Sequence, residues 1–437
     1  MKTVLAGGVV VTCDDEHAVF DPGDVVLDDD IVCYVGPSYQ GEYDTRLYVG
    51  GKLVMPGLIN AHTHSGMSIF RSLADDVDLM VFLRDRVWPR EVKLTAHDVY
   101  AGSLLSGIEM LRAGITTYVD MYFLEEELAR AAVDVGLRAL ITPAILGVPV
   151  WAPILGSLER QIERSFDFCR RWEGRHGRIH TGLGPHSPYT VPLEFLAELA
   201  HQAQEEHLPV NIHLLETKQE RDSYDFSGRG IVVTLEDIGF FDGPVISAHS
   251  VWLSEGDYEI YARNRVGVAH CPQSNAKLGC GLAPVVEMLA NGIAVGLGTD
   301  SACTNNNLDL WEEMRLAPLL AKLCALDPTP LPATQALWLA TRLGGQAVHL
   351  PDIGVLREGF RADLIVLNLA DTVAVPVFSP ETYLAHLVYA FSARQVDAVW
   401  VNGSQVVRGG EVLTVDVEAA RCAAQAAALS LTERMAG

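Results

Sequence analysis

Four apolar runs in this chain each lead into a histidine or an aspartate, and that recurrence limits the fold more than any other feature. Residues 53–59 lead to His62-Thr63-His64, residues 209–212 to His213, residues 244–248 to His249, and residues 293–299 to Asp300. Short apolar runs bounded by Pro and Gly read as buried strands. Side chains alternate along a strand, so His62 and His64 point the same way and aim two imidazoles at one place. A single histidine at a strand end is usually a packing residue. Four such ends in one chain match a parallel α/β barrel, in which every strand C-terminus opens onto the face that carries the active site.

The strand patterns end near His64, Asp120, Pro143, His186, Glu216, His249, His270 and Asp300, with helical stretches such as 101–113 and 193–206 between them. Eight alternating units predict an α/β fold of the (β/α)8 TIM-barrel type. The chain ends differ. Residues 1–52 and those after 352 alternate apolar and polar with frequent turns, the pattern of short antiparallel strands. The expected organisation is therefore 1–52 as the N-terminal part of a small β-sandwich, 53–351 as the barrel, and 352–437 as the C-terminal part of the sandwich. The Ala-rich segment from Val417 adds a terminal helix. A length of 437 residues accommodates one large core and one small module.

Composition narrows the function. With 49% hydrophobic and 20% charged residues the chain is globular. A net charge of −24 argues against binding a phosphate backbone, so nucleic acid is not an expected partner. The eight cysteines are scattered without a C-x-x-C pair, which points to free thiols in the cytoplasm rather than a disulfide framework or zinc ribbon. The Gly-broken start, with one Lys, reads as a strand and not as a signal peptide. No apolar stretch reaches membrane-spanning length.

His62, His64, His213 and His249 offer imidazoles and Asp300 a carboxylate. Catalytic zinc sites use such ligands and leave one position for water, whose pKa falls from about 15.7 to about 7 on binding. The absence of cysteine from the set argues against a closed structural site. Zinc, iron and manganese all suit these donors. Glu216, three residues past His213, is placed to shuttle a proton to a leaving group, and Asp300 to accept the first proton from water.

The segment 55–64 (MPGLINAHTH), His213-x-x-Glu216, His249 and Gly298-Thr299-Asp300 resemble the amidohydrolase superfamily. Segments 74–76, 87–91, 184–189, 270–278 and 305–309 bring the resemblance closer to its S-adenosylhomocysteine/5′-methylthioadenosine deaminase group, over nearly the whole chain. The resemblance implies one divalent metal held by His62, His64, His213 and Asp300. It implies that His249 orients the attacking water, and that Glu216 protonates the purine ring and passes protons to departing ammonia. Glu91 matches a position that holds ribose hydroxyls, and His186 one that contacts the purine. Trp88, Ser301 and Thr304 are placed beside the substrate. Two-metal relatives carry a modified Lys at the end of the fourth strand; this chain has none there, which supports a single ion. Relatives of this group often form homo-oligomers.

The resemblance breaks in one place. Relatives that use S-adenosylhomocysteine carry arginines after the third strand, suited to its carboxylate. Here residues 143–157 contain no Arg. An unpaired carboxylate buried there would be costly, so an uncharged 5′ group is expected, as in adenosine, 5′-deoxyadenosine or 5′-methylthioadenosine. Two other readings stand beside this one: hydrolysis of another heterocycle (guanine, pterin or triazine), and a catalytically inactive relative that binds ligands or acts as a scaffold.

Overall fold

The computed structural model describes residues 1–223 and 228–436. Strands β1 (Lys2–Val11), β2 (Val19–Asp28), β3 (Ile31–Gly36), β4 (Thr45–Tyr48) and β5 (Lys52–Pro56) open the chain. Then come β6 (Leu58–Thr63), β7 (Ile115–Tyr122), β8 (Arg138–Ile145), β9 (Ile179–Thr181), β10 (Gly184–Pro185), β11 (Val210–Leu214), β12 (Val245–His249), β13 (Gly267–His270) and β14 (Val295–Leu297). The last four are β15 (Leu364–Asn368), β16 (Val396–Val401), β17 (Ser404–Arg408) and β18 (Glu411–Val412).

Strands β6 to β14 pair in parallel, in two runs joined by a bridge between Leu183 and Val210. The ring closes between its last strand and its first. Asp300 donates its amide to the carbonyl of His62 at 3.0 Å. Asn60 and Thr299 exchange two side-chain hydrogen bonds across the same seam. Long helices such as Ala96–Arg112 and Leu193–Glu205 separate the strands. The fold is therefore the expected α/β barrel. Its fourth strand is split: β9 and β10 both pair with β8, on either side of Gly182 and Leu183.

Both chain ends meet in one nine-stranded sheet, in the order β18-β17-β16-β15-β5-β1-β2-β3 with β4 on β1. One apolar cluster, including Leu5, Val25, Val54, Leu364 and Trp400, spans strands from both termini. The expected barrel start at 53 meets a difference here. The run 53–59 is two strands in two sheets: β5 pairs with β1 and β15, and only β6 enters the barrel. The turn between them needs a glycine, since a Cβ on Gly57 would fall 2.1 Å from the Thr116 hydroxyl. An apolar run carries no mark of which sheet it joins, so the pattern could not divide it. The buried Arg138–Asp363 pair, with Nε to Oδ2 at 2.6 Å, ties the barrel to this sheet. The terminal helix Val417–Ala436 packs on Ala96–Arg112, where Arg434 pairs with Asp98.

Candidate active site

The strand ends converge as the sequence pattern requires. His62 on β6, His213 on β11 and His64 just past β6 bring three ring nitrogens together: His213 Nε2 lies 3.1 Å from His62 Nε2 and 3.2 Å from His64 Nε2. Asp300, after β14, places Oδ1 3.3 Å from His64 Nε2 and 3.9 Å from His62 Nε2. The other ring nitrogens fix the tautomers. His64 Nδ1 faces the Met121 carbonyl at 2.5 Å, and His213 Nδ1 faces the His186 carbonyl at 2.7 Å. Each of these Nδ1 atoms must donate, which leaves the Nε2 lone pairs aimed inward. Burial, with the neighbouring imidazoles, holds His62 and His213 well below the usual histidine range, so they are neutral. Lone pairs crowded beside a carboxylate repel one another unless a cation sits among them. The donor set fits a divalent metal with nitrogen and oxygen ligands.

Burial opposes ionisation of Asp300, but the histidines packed around it and the Ser274 hydrogen bond outweigh it and hold its pKa at about 2. Ser274 Oγ and the Ser301 amide donate to its two oxygens at 2.6 and 2.7 Å. His249 Nδ1 faces Asn275 Oδ1 at 2.9 Å, and its Nε2 lies 4.0 Å from Glu216 Oε2. Burial lowers the pKa of His249, yet Glu216, Asp300 and the Asn275 hydrogen bond carry it above the usual value. Glu216 is buried, and burial pushes its pKa up, so it holds a proton more readily than a free carboxyl. Leu215, His249 and Asp300 all have positive φ, at +54°, +72° and +57°. Left-handed backbone at such residues costs about 1–3 kcal/mol and gathers where function over-determines the geometry.

A cavity opens from this cluster, with polar groups at its base and apolar side chains along one wall, the make-up usual for small-molecule sites. Glu91, His186, Trp88, Ser301 and Thr304 line it together with His64, His213, Glu216, His249 and Asp300. Glu91 is buried and accepts a hydrogen bond from the Tyr122 hydroxyl at 2.7 Å. Burial raises its pKa to about 7, against the lowering effect of that bond. His186 Nδ1 faces Ser187 Oγ and Thr190 Oγ1 at 3.1 and 3.2 Å, and burial with nearby imidazoles lowers its pKa to about 3. Ser301 and Thr304 hydroxyls lie 3.1 Å apart. The apolar side of the cavity is formed by Phe82, Leu83, Val87, Phe123, Leu146 and Trp151. No Lys or Arg is among the lining residues.

The structure thus gathers every expected site residue around one cavity, with His62 just beneath it. His270 ends β13, buried and apart from the cavity lining. Lys218, Arg221 and Arg229 are exposed, and Arg221 covers the Trp252 ring at 5.1 Å. The sequence reading did not single out Tyr122, Phe123 or Trp151. Tyr122 had a signal, lying two residues past Asp120 on the same strand and so on the same face. Phe123 follows a strand end, where periodicity stops, and Trp151 stood inside the 143–157 segment without an individual role. Ser274 and Asn275 stood inside the 270–278 segment without individual roles.

The chain as a whole is similar to known proteins. Residues 53–406 match the model of the amidohydrolase family, and the chain belongs to that family. It is 40% identical to the 5-methylthioadenosine/S-adenosylhomocysteine deaminase of Pelotomaculum thermopropionicum, over 99% of each chain. It is 39% identical to the 5′-deoxyadenosine deaminase of Methanosarcina mazei, again over 99% of each. Among solved structures, an adenosine deaminase from Xanthomonas campestris with bound zinc superposes with a TM-score of 0.92 at 30% identity, over 99% of this chain and 98% of that one. An atrazine chlorohydrolase from Arthrobacter aurescens complexed with zinc shares the fold, with a TM-score of 0.88 at 24% identity over 98% and 100%. No helix among the described residues is long and apolar enough to cross a membrane.

Proposed function

We propose that the protein is a metal-dependent deaminase that hydrolyses the 6-amino group of an adenosine-type nucleoside to the 6-oxo product, releasing ammonia. One observation carries the reading: a single cavity is lined by His64, His213 and Asp300 of the donor set, with His62 behind them, together with the buried acid Glu216 and the buried carboxylate Glu91. His62, His64, His213 and Asp300 would hold one divalent ion, with zinc preferred given the zinc-bound relative. Such an ion supplies a Lewis acid and lowers the pKa of water toward about 7. Asp300, ionised, takes the proton that the attacking water gives up. His249, fixed by Asn275, orients that water. Glu216 delivers its proton to the purine ring nitrogen beside the reacting carbon, takes one from the hydroxyl that the attack leaves on that carbon, and passes it to the amino group as the C–N bond breaks; the proton held by Asp300 then restores Glu216. Glu91 accepts hydrogen bonds from the ribose hydroxyls, and neutral His186 contacts the purine.

Glu91 favours a nucleoside over a free base, because a free base has no hydroxyls to offer it. The apolar wall of Phe123, Leu146 and Trp151 favours an uncharged 5′ group, as in adenosine, 5′-deoxyadenosine or 5′-methylthioadenosine. S-adenosylhomocysteine would bury its carboxylate without a cation beside it. A homo-oligomer in the cytoplasm completes the reading, on the free state of all eight cysteines and the frequency of symmetric oligomers among enzymes.

The test is ultraviolet absorbance of the zinc-loaded protein with these four compounds in parallel. Loss of the adenine band with ammonia release is expected, with S-adenosylhomocysteine the poorest substrate. No change with any of them, with zinc bound, would move the substrate to another heterocycle. Best turnover of S-adenosylhomocysteine would overturn the assignment of the apolar wall.

A further inference from the structure

Glu220 is a buried carboxylate with no part in the chemistry above. It lies on the short helix Lys218–Ser223, and only 4% of its surface is exposed. Its two oxygens are divided between consecutive backbone amides: Oε1 accepts from Leu215 N–H and Oε2 from Glu216 N–H, each at 2.9 Å. Its own amide donates to Thr217 Oγ1 at 3.0 Å. Among the described residues no Lys or Arg comes within ion-pair distance of it. A buried carboxylate is costly unless its lone pairs are used, and here they are used on the two amides that follow β11.

Those amides sit at a bend. Leu215 has φ +54°, a conformation that leucine adopts only when held there. Trp252 N–H fixes the Leu215 carbonyl at 3.0 Å from the other side. The bend sets the direction of the next side chain, and the Glu216 carboxylate arrives 4.0 Å from His249 Nε2 and 3.7 Å from Cys280 Sγ. A glutamate serving only its own short helix would not reach back four and five residues to bracket this turn.

We propose that Glu220 is a positioning residue: by clamping the amides of Leu215 and Glu216 it holds the left-handed turn that presents Glu216 to the substrate. The proposal rests on the reading of Glu216 as the proton carrier. It acts through geometry alone, with no proton or electron exchanged by Glu220.

The test is a double-mutant cycle on the zinc-loaded protein with 5′-methylthioadenosine, using E216Q, E220Q and the pair, with zinc content and Tm measured for each. E220Q keeps the shape but puts an NH2 group against one of the two amides. Its kcat is expected to fall roughly 10–100-fold, the scale seen for orienting partners of active-site groups, with KM and zinc content near wild type. In the E216Q background the same change should cost less than about twofold, since coupled residues are not additive. T217V, which removes only the acceptor for the Glu220 amide, should show a smaller loss of kcat with the same non-additivity, and it serves if E220Q does not fold. Near-wild-type kcat in E220Q and T217V, with E216Q inactive, would overturn the proposal and leave the role of Glu216 standing. An undiminished loss in the E216Q background would reassign Glu220 to general stability. Wild-type kcat in E216Q would remove both readings together.

Discussion

The two sides of the cavity are built differently. The donor side comes from the barrel itself: His62, His213, His249 and Asp300 sit on or just past β6, β11, β12 and β14. His64, His213, His249 and Asp300 are each fixed by a backbone carbonyl or a buried neighbour: the Met121 and His186 carbonyls, Asn275 and Ser274 in turn. The facing side comes from segments between strands: Phe82 to Glu91 after β6, Phe123 after β7, and Leu146 and Trp151 after β8. It is apolar apart from Glu91 and its tyrosine. Strand ends share one rigid frame and can hold atoms at ligand distances. Connecting segments can change shape without disturbing that frame, which suits them to choosing a substrate. The donor side should therefore govern whether the reaction occurs, and the facing side which molecule enters.

Removing a donor is the strongest way to test that division. H213A is expected to lose bound zinc and to fall to background rate with every substrate, as measured by metal analysis and the absorbance assay. Zinc binding and turnover near wild type would end the assignment of these residues as ligands. E216Q comes next. It should keep its zinc and lose roughly 10²–10⁴-fold in kcat, the usual worth of a placed general acid–base group, whichever nucleoside is supplied. A loss confined to one nucleoside would shift Glu216 from chemistry to selection.

The same division explains how much could be seen in the sequence. Periodicity marks strands, and a barrel turns strand C-termini to one face, so His62, His64, His213, His249 and Asp300 are legible in the sequence. The barrel and the joining of both chain ends were legible for the same reason. The run 53–59 reads as one strand because apolarity does not say which sheet a strand pairs with; β5 and β6 part at Gly57 and pair in different sheets. The clamp at Glu220 was hidden because it depends on the left-handed turn at Leu215, and nothing in a leucine announces positive φ. Phe123 was hidden because it lies beyond a strand end, where no period constrains it, whereas Trp151 stood inside the arginine-free 143–157 segment without an individual role. Glu91 was reached through resemblance alone; by itself a glutamate in a charged stretch reads as surface.

Glu91 is the polar exception on the facing side, and it sharpens the comparison. E91Q should lower kcat/KM for nucleosides roughly 10–100-fold, the worth of about 1.5–3 kcal/mol for a hydrogen bond to a charged group, and leave zinc binding unchanged. The pH dependence follows from burial, which raises its pKa to about 7 against the Tyr122 hydrogen bond. In the role proposed for Glu91 the ionised form would accept the ribose hydroxyls. As pH falls through about 7 the carboxylate is protonated, so kcat/KM for a nucleoside should fall on the acid side, and that limb should vanish in E91Q. An acid limb that persists in E91Q would assign it to another group.

The smallest expected effect probes the apolar wall itself. Leu146 lines the cavity, and its backbone is pinned on both sides by Gln161, which accepts from the Leu146 amide at 2.9 Å and donates to its carbonyl at 3.1 Å. Truncating the side chain in L146A therefore leaves the segment in place and removes only apolar surface. Pocket methylenes discriminate by about 1–3 kcal/mol each at best. KM for 5′-methylthioadenosine should rise roughly tenfold, adenosine should change less, and kcat with either should hold, because the donor side is untouched. Equal losses with both nucleosides would mean that the wall contacts something they share rather than the 5′ group. A fall in kcat with constant KM would mean that the two sides of the cavity are coupled, and that chemistry and selection are not divided between strands and connecting segments in this barrel.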